Sequence, residues 1–114
     1  MPQIHKRLAQ SRPAAGVFGT HYTAPALTTT IVTCIIICNV NASAVDSARV
    51  FVVPSGGTPP SAVDVDSAII FNLPIPTGAP FVANVAQTLN PGDYIVVRSE
   101  SGDLVFTSSG LEIT

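Results

Sequence analysis

Charge is scarce in this sequence. Asp, Glu, Lys and Arg supply 11% of its 114 residues, where a typical soluble domain carries roughly 25%. A soluble monomer keeps its surface charged and free of apolar patches. This chain fills its polar positions with Thr, Ser, Asn and Gln instead, which suits permanent packing against partners. Trp is absent and Tyr22 and Tyr94 are the only tyrosines. A stacking platform for sugar is therefore poorly supplied, and with it the cleft that paired glycosidase carboxylates require. No window of about 18 apolar residues occurs, which excludes a transmembrane helix. Basic residues are too few, and too little interleaved with aromatics, to suggest a nucleic-acid partner.

Motifs for chemistry are equally thin. There is no Gly-x-Ser-x-Gly elbow, no Walker glycine pattern and no dinucleotide fingerprint. His5 and His21 have no Cys, Asp or Glu at ligand spacing, and His21 reads as an edge or rim residue of a strand. Asp64-Val65-Asp66 puts two carboxylates on one strand face, but the calcium-loop pattern is missing. Asp46, Asp93 and Asp103 border turns, where Asp bonds local backbone N–H groups. The expectation is a protein that is not an enzyme and holds neither cofactor nor metal.

What is present is β-sheet. The run from Thr28 to Val40, TTTIVTCIIICNV, is β-branched and apolar. One face of such a strand carries Cys34, Ile36, Cys38 and Val40, the other Thr33, Ile35, Ile37 and Asn39. Both are apolar at the centre, whereas a half-solvated antiparallel strand should alternate apolar with polar. One face can be covered by the chain's own second sheet. The other needs a neighbour, and Ile35 and Ile37 are the expected subunit-interface residues of a homo-oligomer, a trimer. Cys34 and Cys38 are about 13 Å apart on a regular strand, beyond the roughly 7 Å that a disulfide permits. They are expected to be free thiols in the core.

Further strands are predicted at 17–23, 47–53, 67–73, 81–89, 94–99 and 104–108, with a short last one at 110–114. Breakers separate them, including Pro54 to Ser61 and Asn90-Pro91-Gly92-Asp93. The pair 94–99 and 104–108, joined by Glu100-Ser101-Gly102-Asp103, is the clearest hairpin signal. Seven or eight short strands without helical periodicity indicate an all-β, antiparallel β-sandwich of jelly-roll or Greek-key type. Residues 17–114 form that domain. Residues 1–16 read as an extended N-terminal arm, holding Lys6, Arg7 and Arg12 and no acid, while the body has Arg49 and Arg98 against seven acids. No signal-peptide block follows the basic start, so synthesis in a cytoplasm is expected.

Several segments also carry a resemblance. They are Arg7-Leu8-Ala9-Gln10, Tyr22-Thr23-Ala24-Pro25, Thr28 to Val32, Ile36-Ile37-Cys38-Asn39, Val52 to Gly57, Leu89 with Pro91-Gly92-Asp93, and Gly110 to Thr114. In these the chain resembles small structural proteins of tailed-bacteriophage virions. The resemblance implies a capsid decoration, or cement, protein that binds the major capsid protein across capsomer junctions on the head exterior. A tail or fibre-base component is the second reading and a carbohydrate-binding adhesin module on the virion the third. On the first, Ile4, Lys6, Arg7, Leu8 and Arg12 form a capsid-binding arm, and neither nucleic acid nor membrane is a partner.

Overall fold

The computed structural model describes residues 3–41, 43–56, 68–78 and 80–114, with residues 3–5 described by their backbone alone. Eight strands appear among them. They are β1 (Gln3–Ser11), β2 (Gly19–Thr23), β3 (Thr29–Asn39), β4 (Asp46–Val53), β5 (Ala68–Ile75), β6 (Phe81–Leu89), β7 (Tyr94–Ser99) and β8 (Leu104–Ile113). The first sheet has the order β1-β8-β3-β6 and the second β2-β7-β4-β5.

The pairing follows one rule. Gln3 faces Ile113, Gly19 faces Val97, Ile37 faces Phe81 and Asp46 faces Ile75. Each partner pair closes inward on the connection that begins at Pro54, so the chain is one long antiparallel hairpin. Rolling that hairpin adds the β3–β8 and β4–β7 pairings. The result is an eight-stranded jelly roll, within the expected sandwich class. A core of Val32, Ile35, Ile37, Val50, Ile95, Leu104 and Phe106 fills the space between the sheets. Each such side chain contributes about 1.5–3 kcal/mol by leaving water.

The long strand β3 does not keep one parity. Thr30 and Val32 are buried, and so are Ile35, Ile37 and Asn39. The switch occurs at Thr33, the extra residue of a β-bulge: Val32 pairs with Gly110 and Cys34 with Ser109. The bulge brings two backbones together. A Cβ on Gly110 would lie 2.1 Å from the Ile31 carbonyl oxygen, so this position admits glycine alone.

Four expectations are corrected. The segment 1–16 is not a free arm, because Gln3–Ser11 pairs along β8 as an edge strand of the first sheet. Its polar sequence hides a strand whose apolar side is little more than Leu8, half-buried against the core. The 94–99 and 104–108 segments are strands but not a hairpin, since β7 lies in the second sheet and β8 in the first; the turn at 100–103 crosses between sheets. The short strand expected at 110–114 is the end of β8. Finally, the strand at 67–73 runs through Pro74 to Ile75, which an edge strand tolerates because a missing N–H costs no ladder bond there.

Candidate functional site

Three polar clusters stand out inside the sandwich. His21, buried on β2, lies 2.6 Å through Nδ1 from the Ser11 Oγ and 2.9 Å through Nε2 from the Ser108 Oγ. One hydroxyl donates and the other accepts, so the neutral ring is satisfied on both sides. Burial lowers its pKa from 6.5 to about 4. A base that weak, held between two sheets, pins β1, β2 and β8 together and has little capacity to take a proton at neutral pH.

Beside it, the Tyr22 hydroxyl donates to Glu112, and the Thr30 hydroxyl lies 3.0 Å from it. Lys6 completes the set, 2.7 Å from the other Glu112 oxygen. The Lys6 ammonium and then the Tyr22 hydroxyl hold the Glu112 carboxyl below its ordinary range. Burial, reinforced by Glu112, pushes the Tyr22 phenol up to about 12.

The third cluster ties one end of the sandwich. Asp46 accepts from the Ser99 hydroxyl at 2.6 Å and from the backbone N–H groups of Ser47, Ser101 and Asp103. Burial alone would raise its pKa, but these bonds outweigh it and hold the carboxyl low. Arg12 reaches the same end, donating to the Gly102 carbonyl at 2.9 Å and lying 3.4 Å from Asp103. Asp93, at a turn of its own, accepts from the Asn90 and Ser55 backbones.

All three clusters are internal couplings. Among the described residues there is no pocket and no group of His, Cys, Asp or Glu placed to hold a metal, and no helix is long and apolar enough to cross a membrane. Asp64 and Asp66 lie outside the described residues.

The outer surfaces of the two sheets are more informative. On the second sheet, Arg49 stands opposite Arg98 and Phe51 opposite Val96. Phe51, Val53 and Val96 are nonetheless buried, with Phe18, Ala68 and Tyr94 packed against them. Phe18 comes from the β1–β2 connection and meets Phe51 edge-on at 5.6 Å. The arginines are held as well: Arg98 pairs with Glu100 and lies over the Phe18 ring, and Arg49 lies over Phe71 and donates to Asn72. The chain covers the centre of this sheet itself, while Ile69 (38% exposed) and Phe71 (47% exposed) stay open on its edge strand β5.

Among the described residues the first sheet has no such cover. Its strands β3, β6 and β8 contain a single charged residue, Glu112, and that carboxylate is spent on Tyr22 and Lys6. The outward side chains at its centre are Ile36 (37% exposed), Val82 (48% exposed), exposed Cys38 and half-buried Cys34 and Val105. Ile36 pairs with Val82 and Cys38 with Val105, so they form one continuous patch. This uncharged apolar face is the candidate functional surface.

The expected site residues are distributed differently. Ile35 and Ile37 are 1% and 0% exposed and belong to the core, not to a subunit interface. Cys34 and Cys38 are free, but on the outer side. Alternation separates the two faces of β3 over this stretch, but the inward face is that of Ile35 and Ile37, against the usual burial of cysteine. Of the arm residues, Lys6 and Arg12 make the internal contacts above, Leu8 packs on the core and Arg7 is exposed opposite Ser109. Ile4 lies opposite Glu112 in the ladder, and its side chain is outside the described residues. Val82 and Val105 were not singled out from the sequence; the only signal was the lack of charge on their strands.

No protein-family model matches the chain, and no curated protein matches it. Among solved structures, a chain from a structure of infectious bursal disease virus, Gt strain, is similar with a TM-score of 0.43 at 13% identity. The match covers 96% of this chain and 31% of that one, so the present chain spans less than a third of its neighbour's length.

Proposed function

We propose that this protein is a non-enzymatic structural component of a virion, a cement protein that binds the head exterior and reinforces junctions between capsomers. The observation that carries the reading is the open, charge-free face around Ile36, Cys38 and Val82. A continuous uncharged patch of this kind suits a permanent partner. The segmental resemblance to tailed-phage structural proteins supplies the partner's class, the major capsid protein. A shell under internal pressure is stressed where capsomers meet. A protein that binds only the assembled shell stabilises it by mass action, and modest energy per copy is multiplied over the lattice. Lys6 and Arg7 on β1, with Arg12 just beyond its end, border this sheet and would guide docking more than hold it, since exposed pairs contribute about 0–1 kcal/mol each.

The test is an electron cryomicroscopy reconstruction of the intact virion. Density for this chain should lie outside the head, over capsomer junctions, with Ile36 and Val82 toward the shell. Density on the tail, or a virion without the chain, overturns the reading. Ile36→Asp combined with Val82→Asp should abolish binding to undecorated heads while leaving the strand-type circular dichroism unchanged.

A further inference from the structure

We propose that β1 is an acid-released strand, which lifts from β8 as one unit when His21 takes up a proton and leaves the rest of the sandwich folded. The switch lies in the fold itself and does not depend on a virion role.

β1 is lightly held. It is an edge strand, so its release breaks one ladder, and β8 keeps its pairing with β3. Among the described side chains of β1, only Leu8 packs against the core. Polar side chains supply the other ties. Lys6 meets Glu112 at 2.7 Å, and Ser11 meets His21 at 2.6 Å. Between the two ties a register break from Arg7 to Ala9 interrupts the ladder. The first tie needs Glu112 ionised and the second needs His21 neutral, so acid works against both. The unit also has a defined end. Beyond Ser11, Arg12 donates to the Gly102 carbonyl and the Gly16 N–H donates to the Ser99 carbonyl, each at 2.9 Å. Phe18 then packs on Phe51. The connection to β2 therefore stays in place while Gln3–Ser11 moves.

The His21 ring supplies the force. Once protonated, both its nitrogens donate, and the Ser11 and Ser108 hydroxyls can both accept. The hydrogen bonds survive, and what is missing is hydration of a buried cation. Burial alone lowers the pKa of this ring, with no neighbouring charge contributing. The charged and titratable groups on the surrounding strands are engaged elsewhere. Lys6, Tyr22 and Glu112 hold one another, and Arg7 is exposed opposite Ser109. On β7, Arg98 is bound to Glu100 and Tyr94 packs in the outer cluster. The His5 side chain lies outside the described residues. Water must therefore reach the ring, and β1 is the strand that yields. β8 is paired on both sides. β2 is fixed at one end by Phe18 and at the other by buried Ala24, which bonds Asp93 and Gly92 through its backbone. Release uncovers the outer edge of β8, ten residues whose one charged side chain is Glu112.

The experiment is hydrogen exchange of the full chain between pH 7 and pH 4, read segment by segment as protection factors. An ordinary histidine in the opened state and a pKa of about 4 in the closed one fix the expected slope. Protection of 3–11 should fall by up to about tenfold per pH unit, and by roughly a hundredfold between pH 6.5 and pH 4. Segments 46–53 and 94–99 should stay protected. His21→Gln should abolish the slope. Glu112→Gln should lower the protection of β1 at neutral pH and keep the slope. Protection of 3–11 that is constant with pH, or that falls only in step with 46–53 and 94–99, would overturn the proposal. So would loss of 19–23 ahead of 3–11, a slope that survives His21→Gln, or one that Glu112→Gln removes. If His21→Gln does not fold, the comparison of wild-type segments decides alone.

Discussion

The two sheets of this molecule solve the same problem differently. Each has apolar side chains on its outer surface. Behind the second sheet, Phe51, Val53 and Val96 are sealed by Phe18 and its neighbours, and the flanking arginines are tied to Glu100, Asn72 and aromatic rings. Over the first, Ile36, Cys38 and Val82 remain open and no charge is placed among them. The β1–β2 connection crosses one sheet and leaves the other bare. The difference comes from one connection: Phe18 closes the outer centre of the second sheet, and no described residue does the same for Ile36, Cys38 and Val82.

The largest effect should come from the feature that creates the bare face. The β3 bulge decides which of Ile35 and Ile36 points outward, and Gly110 permits it. Gly110→Ala would drive a Cβ into the Ile31 carbonyl, an obstacle of backbone that cannot swing aside. A loss above about 4 kcal/mol is expected, seen as failure to fold or a collapsed urea midpoint. A variant with near-native stability would show that the bulge is not needed.

Acid should act next, through the contact of His21 on the second sheet with Ser11 and Ser108 on the first. The folded His21 has a pKa of about 4, against 6.5 for an ordinary histidine. Between those values the unfolded chain takes up a proton that the folded chain refuses. Stability is therefore full above pH 6.5 and falls as the pH drops toward 4, by roughly 3 kcal/mol. Below that window, Asp46 and Glu112, both held low in the fold, extend the loss as they are protonated. Urea titrations between pH 7 and pH 4 measure the slope, and His21→Gln should flatten its upper part.

Phe18→Ala strips the cover from the second sheet. It removes a half-buried ring and an edge-on aromatic contact, at a cost of about 2–4 kcal/mol in chemical denaturation. Making the second sheet bare should also promote association of a kind the wild type lacks, visible as a larger scattering mass.

Smaller effects test the open surfaces. Leu27, at a turn, is 90% exposed and holds a φ of 60°, a region costly for a residue with a branched side chain. Leu27→Gly should raise the melting temperature, with a gain of about 1 kcal/mol. Smallest of all is Ile36→Thr, which keeps the strand preference and removes apolar surface already in water. Its stability should change by less than about 0.5 kcal/mol. A loss comparable with that of Phe18→Ala would mean that the two sheets are covered alike.

Local pattern carried much of this architecture. The boundaries of β6 and β7 coincide with the segments 81–89 and 94–99, and β3 and β4 lie within a residue or so of theirs. Alternation, β-branching and turn residues are encoded within a few positions, and short-range sterics read them directly. The lack of charge that marks the open surface is also legible, as is the impossibility of a Cys34–Cys38 bridge.

Other features belong to the tertiary structure alone. β1 is a strand because β8 offers it a ladder, not because its own residues demand one. The 94–99 and 104–108 pair looks like a hairpin locally, yet its strands separate into different sheets, β7 between β2 and β4 and β8 between β1 and β3. The face of β3 that turns inward depends on one extra residue at Thr33 and on Gly110 across the ladder. Residue type sets how well a side chain leaves water. Which side chains do so is decided by where the other sheet lies, and that is information no stretch of the sequence holds by itself.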